Sequence, residues 1–213
     1  MVKNLDHIPD LAPLCPRLSD RLLLKDMFIG NSGLDRNALL LRRSFVRLVE
    51  KAVGRFTAAR QVLIDEIAEA QRPNDEMLRT GRILYAPLFI DLMEDCLITC
   101  RRIARFLSAL KQKVSEISMD RDTRRKIESL SPRIRTLRDK IEHMAEQISN
   151  GSVLEGDFIA PYATEDGKGV SLAGHFLSFD DLAEFMKLTY LIAADLVEVG
   201  PNTSVTADSG PLP

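Results

Sequence analysis

In 213 residues the chain has no tryptophan, three tyrosines, three histidines and three cysteines. Each scarcity excludes something. An odd, sparse set of cysteines (Cys15, Cys96, Cys100) is no disulfide framework. No apolar run approaches the ~20 residues that a membrane-spanning helix needs. The opening Met1-Val2-Lys3-Asn4-Leu5-Asp6 lacks the basic-then-apolar form of a secretory signal, so cytoplasmic residence and no membrane partner are expected. Glycine is placed wrongly for phosphate loops. There is no Rossmann pattern, no Gly-x-Ser-x-Gly elbow and no zinc-protease motif, and Gly167-Lys168-Gly169 reads as a turn. With few aromatics among its basic residues, the chain is not expected to stack bases on an aromatic platform. No cofactor is expected. Cys96-x3-Cys100 could supply half a zinc site, but His7 and His175 lie in distant loop segments. Both cysteines also fall on an apolar helical stripe, where a free thiol packs as a small hydrophobe, so no metal is expected either.

What is present is ordinary for a folded domain, with 45% hydrophobic and 28% charged residues. The net charge of −2 hides an asymmetry. Residues 1–100 are balanced. Residues 101–140 hold 13 Lys or Arg against 5 Asp or Glu, and residues 141–213 hold 2 against 12. A basic block of that size either attracts a phosphate backbone or coats the solvent faces of two helices.

Apolar periodicity predicts an all-α chain, an up-down bundle of about four long helices. Residues 1–33 form a lead-in with prolines at 9, 13 and 16 and a short amphipathic helix over 17–28, stopped by Gly30-Asn31-Ser32-Gly33. The main domain spans 34–199. Its first long helix is expected from Asp35 to Gln71, its second over 76–114 with Pro87 kinking it or delaying its start. A third, capped by Asp120 or Asp122, should run to Asn150-Gly151, with Pro132 interrupting its early part. Residues 152–179 read as an irregular insertion holding a small β-hairpin, with Phe158-Ile159 and Val170-Ser171-Leu172 flanking the turn at 165–169. A fourth helix opens at Phe179-Asp180-Asp181 and runs to Val199, and the polar tail 200–213 is expected to be disordered.

The third helix carries the most regular stripe, Ile127, Leu130, Ile134, Leu137, Ile141, Met144 and Ile148. At about 100° per residue, Arg138 lies about 90° to one side of that stripe and His143 about 130° to the other. Arg135, Asp139, Glu142 and Glu146 fill the polar face between them. His143 is therefore not placed as a core histidine. Arg138-x4-His143, on the third long helix of a bundle with an insertion behind it, resembles the signature of the HEPN superfamily over about residues 35–199.

That resemblance implies a metal-independent ribonuclease acting as a homodimer on RNA, possessing a cleft built from one motif per chain. The RNA supplies its own nucleophile, the 2′-hydroxyl. His143 would be the base or proton shuttle, and Arg138 the cation that binds phosphate through its two-pronged guanidinium. Asp139 would orient the histidine, with Glu142 and Asp95 of the second helix as supporting groups. Many such proteins are toxins or defence components, so an antitoxin or nucleotidyltransferase partner is implied. The tyrosine that regulated toxins carry two residues after the histidine is Ala145 here, which excludes control by tyrosine modification at that site. The residues also allow a bland arrangement, with Arg138–Glu142 and Asp139–His143 as solvated pairs one turn apart. The chain would then be a catalytically silent bundle acting as a regulatory or scaffolding partner.

Overall fold

A computed structural model describes residues 8–28, 34–113 and 120–198. Helix α1, Ser19–Phe28, packs alongside the first half of α2 (Arg36–Ala70) and the second half of α7 (Phe179–Glu198). Its first turn is capped from outside, because the Glu50 carboxylate accepts hydrogen bonds from the backbone N–H groups of Leu18 and Ser19. Tyr190 Oη donates to the Pro16 carbonyl at 2.8 Å and pins the lead-in. The expected stop at residues 30–33, His7 and the tail from 200 onward lie outside the described residues.

Helix α2, Arg36–Ala70, has the boundaries that its sequence predicts. Asp35 is the N-cap, accepting from Ala38 N at 2.8 Å, and Gln71 ends it before Pro73. The second long helix is not continuous. A short α3, Asn74–Thr80, ends at Gly81 with φ +81°, and α4, Ala86–Lys113, starts afresh after an extended connector. Proline explains the delay. Pro87 is the second residue of α4, where its missing N–H costs no hydrogen bond. The connector is tied to the end of α2 by Glu69, which accepts from Ile83 N at 3.1 Å and pairs with Arg72 at 3.0 Å.

The third helix also differs from its prediction. Helix α5, Arg121–Glu142, is capped by Asp120, which accepts from the N–H groups of both Asp122 and Thr123. Pro132 does not interrupt it. The helix changes direction at His143, where φ is −100° and ψ 10°, and a short α6, Met144–Ser149, follows. The apolar stripe runs out beyond it: Leu137 is buried, Ile141 and Met144 are partly buried against the core, and Ile148 is 52% exposed.

The insertion is a three-stranded antiparallel sheet, not a two-stranded hairpin: β1, Tyr162–Ala163; β2, Gly169–Leu172; β3, His175–Ser178. The turn at 165–169 joins β1 to β2, with Tyr162 opposite Ser171, so Phe158-Ile159 precedes the sheet instead of forming its first strand. A second turn was hidden in Ala173-Gly174, both at positive φ, a two-residue connection of the kind that suits the twist of a hairpin. The last helix, α7, Phe179–Glu198, begins under a Ser178 cap whose Oγ accepts from Asp181 N.

The core runs along α2, α4 and α7. Phe45, Leu48, Ala52, Phe56 and Ala59 of α2 meet Phe89, Met93, Cys96, Cys100 and Ile103 of α4. Helix α7 is apolar on most of its circumference, which is how a helix enclosed on several sides reads. Its first residue, Phe179, meets Phe56 edge to face at 6.1 Å. Among the described residues, no helix is long and apolar enough to cross a membrane.

Helix α1 is locked to α2 by a buried ion pair. Arg42 is 2% exposed and contacts the Asp26 carboxylate, which Arg43 also reaches at 2.7 Å from the surface. Removing one partner of a buried pair costs roughly 3–5 kcal/mol, whereas an exposed partner is worth at most about 1 kcal/mol. Asp26→Ala is therefore expected to lower unfolding stability several-fold more than Arg43→Ala, as read by urea titration with circular dichroism.

Candidate functional site

Helix α5 has two polar flanks, and they differ in kind. Toward α7, cations meet carboxylates: Arg133 pairs with Asp181 at 2.5 Å and Lys126 with Glu184 at 3.5 Å. Toward α4 they do not. Helices α4 and α5 run antiparallel, so Arg101 and Arg105 of α4 come opposite Arg135 and Arg138 of α5. Among the described residues Arg101, Arg105 and Arg135 have no acidic partner within 4 Å, and Arg101 Nε is buried without a hydrogen bond. Burial, followed by the charges of Arg105 and Arg135, pushes the Arg101 guanidinium below its ordinary value, with Asp139 opposing. A guanidinium stays charged at physiological pH, so the shift expresses how unfavourable its surroundings are.

Arg138 stands beside this cluster, with its side chain 19% exposed. Its guanidinium is engaged by two carboxylates of its own helix, Asp139 at 2.9 Å and Glu142. Asp139 thus spends its carboxylate on Arg138, and only its backbone carbonyl, which accepts His143 N at 3.0 Å, touches the histidine. The His143 ring is 62% exposed at the bend between α5 and α6, with Nδ1 3.3 Å from Glu146. The pairing of Asp139 with the histidine, expected from four-residue spacing, is replaced by pairing with the adjacent arginine. Glu142 does reach Arg138, as expected.

Asp95 does not. It faces α2, where it accepts from Lys51 Nζ at 2.6 Å and Arg55 Nε at 2.7 Å. Burial pushes its carboxyl up, but these hydrogen bonds and charges outweigh it and hold Asp95 below the usual carboxylate range. Glu94 is shifted the other way, by burial and then by Asp91. Cys96 and Cys100 are both fully buried. Cys96 Sγ donates to the Ala52 carbonyl at 3.7 Å, and the hydrogen bond to Cys96, then burial, push the Cys100 thiol well up. Among the described residues no group of three or more His, Cys, Asp or Glu side chains could hold a metal ion.

Sequence reasoning missed Arg101 as a site residue. The signal for it was the antiparallel register of two helices joined by a short connection, which places residue 101 opposite 135–139. Compared with known proteins, the chain matches no family model, no curated protein and no solved structure.

The depressed carboxyls set an acid limit on stability. Asp95 is held down by Lys51 and Arg55, and Asp120 by hydrogen bonds with Thr123. Arg124 and Lys25 depress Glu128 and Glu198 by hydrogen bonds of their own. Folded values below the unfolded ones, about 3.9 for Asp and 4.3 for Glu, mean stabilisation that is fully present above about pH 4.3. It is lost as pH falls through the lower folded values. Glu94 works in the opposite sense and reduces the net effect. Urea unfolding at stepped pH is expected to show a plateau from about pH 5 to 7 and a decline below about pH 4, shallower in Asp95→Asn.

Proposed function

We propose that the chain is a HEPN-like, RNA-directed bundle in which Arg138 and His143 carry metal-independent phosphodiester cleavage. The observation that supports this best is the position of the motif. Both residues sit near one end of α5, outside the core; the histidine ring is open to solvent where the helix leaves regular geometry, and Arg138 stands beside the Arg101–Arg135 cluster.

The chemistry needs little more. His143 Nε2 or Nδ1 takes the proton of the 2′-hydroxyl, and the 2′-oxygen attacks the adjacent phosphorus. The bond to the 5′-oxygen breaks, leaving a 2′,3′-cyclic phosphate, and the departing oxygen takes up a proton. Arg138 neutralises the charge that develops on the phosphate, exchanging Asp139 and Glu142 for substrate oxygens. A second copy related by a two-fold axis would bring another histidine to the same cleft and bury the exposed end of α6. An antitoxin or modifying enzyme as partner belongs to the same reading.

One observation favours a second reading, a catalytically silent bundle that serves as a regulatory or scaffolding partner. Arg138 is already satisfied by two carboxylates, and no side chain of α5 orients His143.

Cleavage of structured and unstructured RNAs, with and without EDTA, separates the two. The ribonuclease reading expects chelator-resistant cleavage with cyclic phosphate ends. His143→Ala should lower the rate by about 10²–10⁴-fold while leaving the melting temperature unchanged, since the ring is exposed. Arg138→Ala should also impair it. Equal residual cleavage in wild type and both variants would leave only the silent bundle.

A further inference from the structure

We infer that the groove between α4 and α5 is a phosphate-binding subsite for a single nucleic-acid strand, in which Arg101, Lys111 and Arg135 grip the backbone and lead it toward Arg138. The choice of a nucleic acid rests on the RNA-directed reading above, whereas the groove itself rests on its own geometry.

A cavity of about 230 Å³ opens between the two helices, several times the roughly 30 Å³ share of one water molecule. Its rim is basic, with Arg101 and Lys111 from α4 and Arg135 from α5. Its floor is apolar, formed by Ala104, Leu107, Ile127 and Pro132. Glu128 is the one acid on the wall. It is engaged by Arg124 at 2.7 Å, so its charge is matched from outside the groove, and Lys111 stands 4.0 Å away.

Three features point to an anion. The first is the Arg101 guanidinium, which has no carboxylate in ion-pair contact; its Nε is enclosed, so its terminal nitrogens are the donors left for an oxyanion in the groove. The second is like-charge crowding. Arg101 lies within electrostatic range of Arg105, Arg135 and Arg138 with Asp139 as the one opposing charge, and a phosphate would turn the remaining repulsion into shared attraction. The third is geometry, because Arg101 lines the groove from α4 and Arg135 from the facing helix, so one phosphate can be held from both sides. An apolar floor beneath a cationic rim suits a ribose and phosphate lying along the groove better than it suits an extended acidic peptide. Such a peptide would leave its backbone polar groups against hydrocarbon.

The probes are an unstructured uridine-rich RNA oligonucleotide, a neutral-backbone analogue of the same sequence, inorganic phosphate and polyglutamate. Wild type is expected to bind the RNA with log affinity falling linearly against log salt, and to bind the neutral analogue at least ten-fold more weakly. The Arg101→Gln/Arg135→Gln variant should lose at least ten-fold in affinity. Its salt slope should be shallower by about 1.4, since each lost phosphate contact on a single strand removes about 0.7. Its melting temperature without ligand should be equal to or above that of wild type, because repulsion has been relieved, so misfolding is not the cause of weak binding. Unchanged RNA affinity and slope in the double variant would overturn the proposal, as would equal binding of the neutral analogue. Inorganic phosphate binding as tightly as the RNA would show a free-anion site, and polyglutamate displacing RNA at equal charge concentration would show an acidic partner; either result sinks it. If RNA binding depends on Arg101 and Arg135 but no cleavage occurs, the ribonuclease reading fails and the subsite stands.

Discussion

The apolar seam between α2 and α4 is what the rest of the molecule is laid upon. Neither helix would be stable alone in water, because helix nucleation is costly and propensity contributes little per residue. Small side chains at Ala52, Ala59, Cys96 and Cys100 let the backbones close to the point where the Cys96 thiol touches the Ala52 carbonyl. With that seam formed, α7 packs against α2 through Phe56 and Phe179, and α5 covers the remaining apolar side of α4 through Ile127, Ile134 and Leu137. The small sheet fills the space between the end of α5 and the start of α7.

A stable seam allows an unfavourable surface elsewhere. The cations of α5 that face α7 are matched by Asp181 and Glu184, yet Arg135, facing α4, is left beside Arg101 with no ion pair. The loss is tolerable because native stability is a sum over the whole core, and a few like charges at its edge do not decide it. Unspent cationic donors of this kind are where a bound phosphate gains most. The bend at His143 acts in the same direction, since it turns the imidazole and the following turn of helix out of the bundle.

Much of the fold was legible in the residues themselves. Asp35 and the choice of Asp120 or Asp122 marked helix starts that the structure places beside Asp35 and Asp120; the three-and-four spacing identified α2 and α5, and the acids after Phe179 marked the start of α7. The split of the second long helix was half legible. Pro87 announced a delayed start, but nothing in residues 74–86 says that Glu69 would hold the connector extended. The first strand escaped notice because Tyr162–Ala163 is two residues long and owes its pairing to Ser171 and Val170 across a turn. Within the site, Arg138 with Glu142 followed from spacing. The partner of Asp139 did not, because helical spacing offers it His143, four residues on, and not the adjacent Arg138 with which it pairs.

Local chemistry by itself determined which segments are helical, where most of them start, and that Arg138 and His143 stand off the apolar stripe. Those properties depend on neighbours within a turn or two, and a chain carries them wherever it folds. Only the tertiary structure decided that Asp95 serves α2 and not Arg138, that Arg42 is buried against Asp26, and that Arg101 crowds against Arg135 without a carboxylate in ion-pair contact. These depend on the register between helices far apart in sequence. That register is fixed by side-chain packing along the seam, and no periodicity within one helix records it.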